Sequence, residues 1–345
     1  GLKQDLVLKT EIDKENKIII DGQLIGEFKG LKFLIELTSK TLDTDIKSIK
    51  KAARKGVVEE LNKRVSEIVK NPEIIFDNSG KFIWKGNPIA KTKKGHNYLS
   101  PEIEIIADES LETESKVKLE DFLKKWFLGY LNDILGDLIN LTKQKIQNQY
   151  LRALVFQLYE KNGVIKRAEI DNIVKLIPQN ERKKLWGMGI KIGRYHVYLP
   201  KMLKPKAVEF RVSLWKIYHS QDNGEKIPKS GLNFINNKNY EKKFLLLCGF
   251  ENFKEFFIRI DILEKLFIKI LNNTKDRKFK INAEMMNLLG CTKDNFYKLM
   301  SLMNYKKDRD KDTYIFKGEK KKISKIIKFD KKENPFKKLL SLNLK

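Results

Sequence analysis

The feature of this sequence that most constrains its fold is an internal repeat at an offset of 64 residues. Residues 13–26 and 77–90 share, in the same spacing, an Asp, a Lys, three apolar residues, a Gly, an amide residue, an Ile and a small residue. Asp21-Gly22 separates two apolar runs, which is typical of a two-residue β-hairpin because Gly tolerates positive φ. Lys85-Gly86 takes the same place in the second copy. The repeat predicts two similar hairpins, with two unrelated hairpins as the alternative.

Each copy continues with the same predicted elements. Strand candidates precede the hairpins at Leu6–Ile12 and Glu73–Phe76, and others follow at Leu31–Leu37 and Glu102–Ala107. Apolar residues at helical spacing then predict a long helix in each copy. Their stripes contain Ile46, Ile49, Ala53, Val57, Leu61, Val65 and Ile68 in the first, and Leu119, Phe122, Leu123, Trp126, Phe127, Tyr130, Leu131, Ile134, Leu135 and Leu138 in the second. Residues 1–70 and 71–143 are therefore predicted as a duplicated β-meander-plus-long-helix unit.

Residues 144–219 are predicted to form a mostly helical, winged-helix-like module. Helices are expected over Tyr150–Tyr159, Ala168–Ile177 and Glu181–Trp186, and an alternating hairpin over Ile190–Pro200. Three helices followed by a hairpin is the element order of winged-helix domains. Trp186 and Trp215 are expected to pack in the core or between modules, since a large aromatic residue is more often buried than used for base stacking.

The remaining sequence predicts a linker, a second module and a tail. Residues 220–243 contain the turn-forming residues of a linker. In the winged-helix-like module 244–316, Phe244–Leu271 is expected to give one or two apolar helices. Ala283–Leu289 and Lys293–Met303 are expected to form a helix–turn–helix, with Thr292 as the N-cap. Residues 317–345 are expected to be a basic, disordered tail. The predicted fold class is α+β.

The charge indicates a polyanionic partner. The 345 residues contain 71 Lys and Arg against 45 Asp and Glu, a net charge of +26, and clustered basic residues release counterions from a phosphate backbone. Only ten of the basic residues are Arg, so a lysine-rich composition is the alternative source of part of this charge. The local signal is sharper, because residues 182–216 hold ten Lys or Arg and one acid, Glu209.

Several classes of function lack their sequence signatures. No phosphate loop and no acidic helicase box is present, so neither a catalytic residue nor a bound cofactor is predicted for this chain. Two Cys and three His lack metal-ligand spacing, so no metal site is expected. Cys248 lies within an apolar run and is predicted to be a core residue. No apolar run approaches the roughly 20 residues of a membrane helix, and the predicted compartment is the cytoplasm.

Candidate nucleic-acid contacts lie on the hairpin and on the predicted wing. Arg194, His196 and Tyr198 alternate and are predicted to share a face open to RNA; the alternative is the outer face of a half-buried hairpin, with Tyr195, Val197 and Leu199 inward. The full predicted set is Lys191, Arg194, His196, Tyr198, Lys201, Lys204 and Arg211, with Lys306, Lys307 and Arg309 of the wing.

The segment Leu185–Trp215 resembles a segment in the C-terminal region of alphaproteobacterial superfamily-two (DEAD/DEAH-type) helicases similar to the RNA helicase of the mitochondrial degradosome. The residues that carry the resemblance are Gly189, Gly193, Leu199, Pro200, Leu203, Pro205, Leu214 and Trp215. The strand Gly80–Ala90 and the terminal Asn334–Leu339 also look like that family. Its ATPase core precedes this region, so the resemblance and the absent initiator Met suggest the non-ATPase part of a longer helicase, or a truncated product. ATP and magnesium are expected only for that motor core.

These observations predict an accessory region of an ATP-dependent helicase that binds nucleic-acid backbone and guides the strand for the motor. The chain alone is not expected to be an enzyme, although its parent is. The ligand is RNA or another single-stranded nucleic acid, with RNA against DNA left open. The alternative is an interaction scaffold that docks a ribonuclease or the helicase core, with Pro335, Phe336 and Leu339 as a docking peptide. The protein partner and the oligomeric state are not specified by the sequence.

Overall fold

The structure is a computed structural model that describes residues 10–13, 16–20, 23–35, 43–220, 224–309 and 312–316. The chain divides into two compact units, Gly1–Ile268 and Lys269–Lys345. Among the described residues, helices are interspersed with five small antiparallel sheets. The predicted α+β class is therefore confirmed.

Each copy of the repeat forms a four-stranded antiparallel meander followed by a long helix. The first contains β1 (Thr10–Ile12), β2 (Lys17–Ile20), β3 (Gln23–Lys29), β4 (Lys32–Ile35) and α1 (Asp43–Lys70). The second contains β5 (Ile74–Phe76), β6 (Lys81–Trp84), β7 (Asn87–Asn97), β8 (Ser100–Ile105) and α2 (Thr113–Lys143). In both sheets, neighbouring strands are consecutive in the chain.

The two meanders pair their strands in the same register. Ile18 pairs with Gly26 across β2 and β3, and Phe82 pairs with Ala90 across β6 and β7. The register shifts at the next residue in both hairpins, so each contains an irregularity at the same step. Equivalent pairs and equivalent irregularities favour a duplicated unit over two unrelated hairpins.

The turn that precedes each hairpin is also shared. The Asp13 carboxylate accepts the backbone N–H of Lys17 at 2.9 Å, and the Asp77 carboxylate accepts that of Lys81 at 2.8 Å. A short acidic side chain that binds a nearby backbone amide stabilises a tight turn without help from other elements. The conserved spacing from Asp to Lys in the two copies therefore has a local structural cause.

The long helices repeat at an offset of 70 because the second meander has a longer last hairpin. The chain from Ala90 to its partner Ile105 is six residues longer than that from Gly26 to its partner Ile35. With this shift, buried residues of α1 and α2 coincide. The pairs are Val57 with Phe127, Leu61 with Leu131, Val65 with Leu135, and Ile68 with Leu138. Each helix uses one apolar stripe to cover its side of the core.

Beyond α2, the described residues form three further sheets with one shared connectivity. In each, a strand is followed by one or two helices and then by a hairpin whose last strand lies in the middle of the sheet. The elements of the first are α3 (Gln149–Glu160), β9 (Val164–Lys166), α4 (Arg167–Leu176), α5 (Gln179–Gly187), β10 (Lys191–Ile192) and β11 (His196–Tyr198).

A 3₁₀ turn over Pro200–Leu203 leads from the first of these sheets into the second. The second sheet and the helices beside it in the chain are α6 (Pro205–His219), β12 (Phe234–Asn236), α7 (Lys242–Leu247), β13 (Phe250–Phe253) and β14 (Phe256–Arg259). Helix α8 (Ile260–Asn272) follows, and then β15 (Lys278–Lys280), α9 (Ala283–Leu289), α10 (Lys293–Leu302), β16 (Tyr305–Lys307) and β17 (Thr313–Phe316). The Thr292 hydroxyl accepts the backbone N–H of Asn295 at 3.3 Å, which confirms the predicted N-cap of α10.

Two helices, α7 and α8, cover the ends of the segment Phe244–Leu271, as expected, but the β13–β14 hairpin between them was not predicted. Gly249 ends α7 with a φ of 89°, and Lys254 takes a φ of 57° in the hairpin turn. Phe256 to Ile258 form a central strand that is buried on both faces, so the sequence shows an unbroken apolar run. Such a run cannot be distinguished from a buried helix by periodicity. Strand β12 likewise lies within the predicted linker 220–243.

One large apolar core joins both meanders to the first three-stranded sheet. Phe210 of α6 lies against the second meander, with its ring 5.6 Å from that of Phe76 and 6.0 Å from that of Phe127. Ser213 adds a hydrogen bond of 2.9 Å from its hydroxyl to the Asn78 carbonyl. These contacts fix the basic stretch 182–216 against the second copy of the repeat.

No helix among the described residues is both long and apolar enough to cross a membrane.

Candidate nucleic-acid interface

The basic residues of the stretch 182–216 lie mostly at the surface. Eight of the ten are exposed: Arg182, Lys183, Lys184, Lys191, Arg194, Lys201, Lys204 and Lys206. They belong to three consecutive parts of the chain, namely α5, the β10–β11 hairpin and the entry to α6. The predicted contacts Lys191, Arg194, Lys201 and Lys204 are therefore accessible to a ligand.

Helix α5 is anchored from its inner side, which leaves its lysines facing outward. Leu185 is fully buried. The Arg182 guanidinium donates to the carbonyls of Val174 and Ile177 at 3.2 Å each, so it binds carbonyls at the C-terminal end of α4. Arg182 therefore acts mainly as a structural connection between the two helices.

The exposed lysines differ in whether an acidic side chain lies close enough to form an ion pair with them. Lys184 pairs with Glu181, and Lys201 pairs with Asp137 of α2, each at 2.8 Å. In contrast, Lys183, Lys191 and Lys204 form no ion pair with any residue that the structure describes. These three lysines keep their full positive charge available for an anionic ligand.

The prediction that His196 contacts nucleic acid is wrong, because its ring is fully buried between carboxylates. His196 Nε2 lies 2.7 Å from a Glu251 oxygen, and Nδ1 lies 3.7 Å from a Glu264 oxygen. Burial acts to lower the pKa of His196, but hydrogen bonds and charge from Glu251 and Glu264 outweigh burial and raise this pKa above its usual value. The side chain is therefore part of an internal charge network.

The same network includes Lys166, whose Nζ lies 2.7 Å from the other Glu251 oxygen. Burial acts to raise the pKa of Glu251, but the hydrogen bonds and charges of His196 and Lys166 outweigh it and lower the pKa. Because Lys166 and His196 belong to the first three-stranded sheet and Glu251 to the second, the network joins the two sheets.

Glu264 of α8 holds the β10–β11 hairpin by its backbone. Its carboxylate accepts three successive N–H groups, from Arg194 at 2.6 Å, Tyr195 at 2.8 Å and His196 at 2.9 Å. Consecutive backbone amides that converge in this way form a concave anion site, which Glu264 occupies. Glu251 and Glu264 were not predicted from the sequence. The available signal was that both acids interrupt apolar runs, because a carboxylate buried in such a run needs a hydrogen-bonding or charged partner.

Tyr198 and Arg211 are also buried, so they too are removed from the predicted contact set. Burial raises the pKa of Tyr198 to about 12. The Arg211 guanidinium donates to the carbonyls of Asn162, Met202 and Leu247 at 2.9, 2.6 and 3.1 Å, and burial lowers its pKa. These carbonyls belong to the turn after α3, to the 3₁₀ turn and to the end of α7, so Arg211 holds three separate parts of the chain together. The alternation of residues 194–199 suggested one open face, but β11 is a central strand and His196, Val197 and Tyr198 are all buried.

Trp186 departs from its expected core position. Its side chain is 80% exposed at the end of α5, whereas Leu185 beside it is buried. Trp215 is half-buried in α6, with its ring 4.6 Å from that of His219.

The second unit carries the other predicted contacts. Lys306 and Lys307 of β16 and Arg309 of the following turn are exposed. Lys307 Nζ lies 5.7 Å from the ring centre of Tyr297, a distance at which a cation is attracted to an aromatic face. The predicted docking residues Pro335, Phe336 and Leu339 lie outside the described residues.

A metal site and a reactive thiol each place specific requirements on the described residues. No three His, Cys, Asp or Glu side chains in that part of the chain are placed to hold a metal ion. Cys248 is buried, as predicted, and burial raises the pKa of its thiol to about 12. Burial likewise raises the pKa of Cys291 to about 11. Both thiols are held in the protonated form, which is a poor nucleophile.

Comparisons with known proteins give one partial likeness. No family model and no solved structure matches the chain. The chain is 26% identical over 226 residues to DNA-directed RNA polymerase subunit beta'' of Gracilaria tenuistipitata var. liui. The match covers 60% of this chain and 18% of the polymerase subunit, so it concerns only a small part of that protein.

Proposed function

We propose that this chain is a cytoplasmic, nucleic-acid-binding accessory region that holds the backbone of an RNA strand and guides it for a helicase motor. The observation that carries the proposal is the exposure of eight basic residues within 182–216, against the single acid Glu209. Lysines that keep their charge can replace the counterions of a phosphate backbone, which favours binding at low salt. Because no ATP-binding motif is present, the motor itself would lie outside this chain.

The connectivity of the three small sheets supports the same proposal. A strand, helices and a hairpin with a central last strand is the arrangement of a winged-helix domain, and we assign all three sheets to winged-helix-like modules. In such modules, the second helix of the helix–turn–helix and the wing commonly approach nucleic acid. Helix α5 and the loop of the β10–β11 hairpin hold these places in the first module, where the exposed lysines lie. The likeness to an RNA polymerase subunit agrees with a nucleic-acid partner and does not bear on a helicase.

The proposal is tested by titrating the full chain into a labelled single-stranded RNA of about 20 nucleotides across a salt series. Affinity should fall linearly with the logarithm of salt concentration, with a slope of about 0.7 for each phosphate contact. The triple variant Lys183→Ala, Lys191→Ala, Lys204→Ala should bind more weakly and should reduce the slope by about two.

A matched control separates local charge from composition. Lys116, Lys118 and Lys125 of α2 are exposed, and they form no ion pair with any described residue. Replacing these three with Ala removes the same charge and should leave affinity and slope close to those of the wild type. An equal loss in both triple variants would attribute binding to the lysine-rich composition. Absence of binding at about 50 mM salt would contradict the proposal itself.

The scaffold alternative predicts a different result. If the helical modules dock a ribonuclease or a helicase core, the chain should retain that partner at salt concentrations that abolish RNA binding. RNA affinity with no salt dependence, together with such a complex, would favour the scaffold over backbone binding.

A further inference from the structure

Trp186 is the most exposed large apolar side chain among the described residues, at 80%. An exposed indole costs hydration free energy unless a ligand covers it, so its surroundings decide which ligand that is. Those surroundings are basic: Arg182, Lys183 and Lys184 occupy the preceding turn of α5.

The helix places one lysine and the indole on the same outward face. Lys183 and Trp186 are three residues apart, so they are neighbours on the helix surface. Leu185 is buried and Arg182 is bonded to the end of α4, which prevents α5 from rotating this face inward. The pair therefore presents a charge and an aromatic surface side by side on a rigid support.

The residue after Trp186 is also uncrowded. A Cβ built on Gly187 would meet no heavy atom within 4 Å. The end of α5 next to the exposed indole is therefore not covered by other parts of the described chain at this point. A nucleobase that stacks on the indole would carry its phosphate toward the adjacent lysine, which is the combination that single-strand-binding proteins use.

We propose that Trp186 is a stacking platform for an unpaired nucleobase, so that the first winged-helix-like module binds single-stranded nucleic acid in preference to duplex. This inference rests on the proposed function, because it requires that the module bind nucleic acid. Bases inside a duplex are already stacked on each other, so a duplex offers the indole no exposed base except at its ends.

The experiment compares the wild type with Trp186→Ala, Trp186→Phe and the control Leu176→Ala. Leu176 is an exposed apolar residue at the end of α4, at 55%. Binding is measured by anisotropy with a single-stranded RNA of about 20 nucleotides and with a blunt RNA duplex of the same length.

Trp186→Ala should weaken single-strand binding about tenfold with an unchanged salt slope, because stacking carries no charge. Trp186→Phe should retain most of the affinity, since a phenyl ring also stacks, and Leu176→Ala should match the wild type. Duplex binding should be the same in all four proteins. An exposed site tolerates these changes, and circular dichroism verifies that each variant is folded.

The outcomes separate this inference from the proposed function. If the wild type binds RNA with the expected salt slope and Trp186→Ala binds equally well, stacking is overturned while backbone binding stands. That result would also fit an indole that anchors a protein partner. An equal loss of single-strand and duplex binding would overturn the preference for unpaired bases. If the wild type binds no RNA at about 50 mM salt, both proposals fail.

Discussion

His196 Nε2 lies 2.7 Å from one carboxylate oxygen of Glu251, a residue of the neighbouring three-stranded sheet. Lys166 binds the other oxygen of the same carboxylate at 2.7 Å. A positive charge therefore flanks each Glu251 oxygen when His196 is protonated. Glu264 faces the second ring nitrogen of His196. Protonation of His196 therefore strengthens a connection between the two sheets that Lys166 also supports.

We predict that His196 stabilises the protein mainly at mildly acid pH. Its raised pKa means that its contribution is full below the unfolded value of about 6.5 and is lost as pH rises through the folded value. The lowered pKa of Glu251 gives a contribution that is full above about 4.5 and is lost as pH falls through its folded value. The wild type should therefore exceed His196→Gln in free energy of unfolding by the largest amount between about pH 4.5 and about pH 6.5. Urea unfolding from about pH 4 to 9 measures it, and a constant difference would contradict the prediction.

We expect Gly193→Ala to destabilise the first unit. A Cβ at this position would collide with the Glu264 carboxylate, which three backbone amides hold in place. Overpacking of this kind typically costs about 1–3 kcal/mol. Gly187→Ala is the control, because no heavy atom lies within 4 Å of its Cβ position, and it should leave stability unchanged or raise it by up to about 1 kcal/mol.

A double-mutant cycle identifies the colliding partner. In the background of Glu264→Ala, the substitution Gly193→Ala should cost less than it does in the wild type, because the obstructing carboxylate is gone. If the change in free energy of unfolding of the double variant equals the sum of the two single changes, the cost of Gly193→Ala comes from another source.

Arg211→Lys should lower stability without changing nucleic-acid binding. A lysine cannot direct donors to three separated carbonyls as the guanidinium does, and each buried acceptor left open costs about 1–3 kcal/mol. We therefore expect a loss of about 2 kcal/mol or more in urea unfolding. The salt slope of RNA binding should equal that of the wild type at a temperature where the variant is folded. A smaller slope with unchanged stability would restore Arg211 to the contact set.

Equivalent core positions in the two copies of the repeat should have comparable importance. Leu61 and Leu131 are buried at matching places in α1 and α2. Leu61→Ala and Leu131→Ala should each lower the free energy of unfolding by about 2–5 kcal/mol. Leu128→Ala, at a position that is 61% exposed, should have an effect below about 0.5 kcal/mol in the same measurement.

Local patterns were sufficient to predict the repeated unit. The Lys85-Gly86 hairpin signal and the stripes with helical spacing depend on neighbours in the chain, and the described sheets and long helices follow them. The Asp21-Gly22 turn of the first copy lies outside the described residues. Thr292 could be identified as a cap for the same reason. The β13–β14 hairpin could not, because a strand covered on both faces loses the alternation that identifies it.

The positive charge of the candidate interface could be predicted from the sequence. Which of its predicted residues are buried could not. The surface position of Lys191 and Lys204 follows from their charge alone. His196 and Arg211 were misplaced because their partners, Glu251 and three backbone carbonyls, come from distant parts of the chain. Exposure of Trp186 could not be inferred either, since an apolar residue beside a buried leucine has the sequence pattern of a core position.

The bond between Glu264 and the hairpin has a consequence for local dynamics. Glu264 belongs to α8, which begins at the residue after β14 ends, while the amides it binds belong to Arg194, Tyr195 and His196. Those amides cannot exchange with solvent deuterium until the carboxylate leaves. Their exchange rate should therefore follow the release of a side chain about 70 positions away along the chain, and not only the fraying of their own short strands.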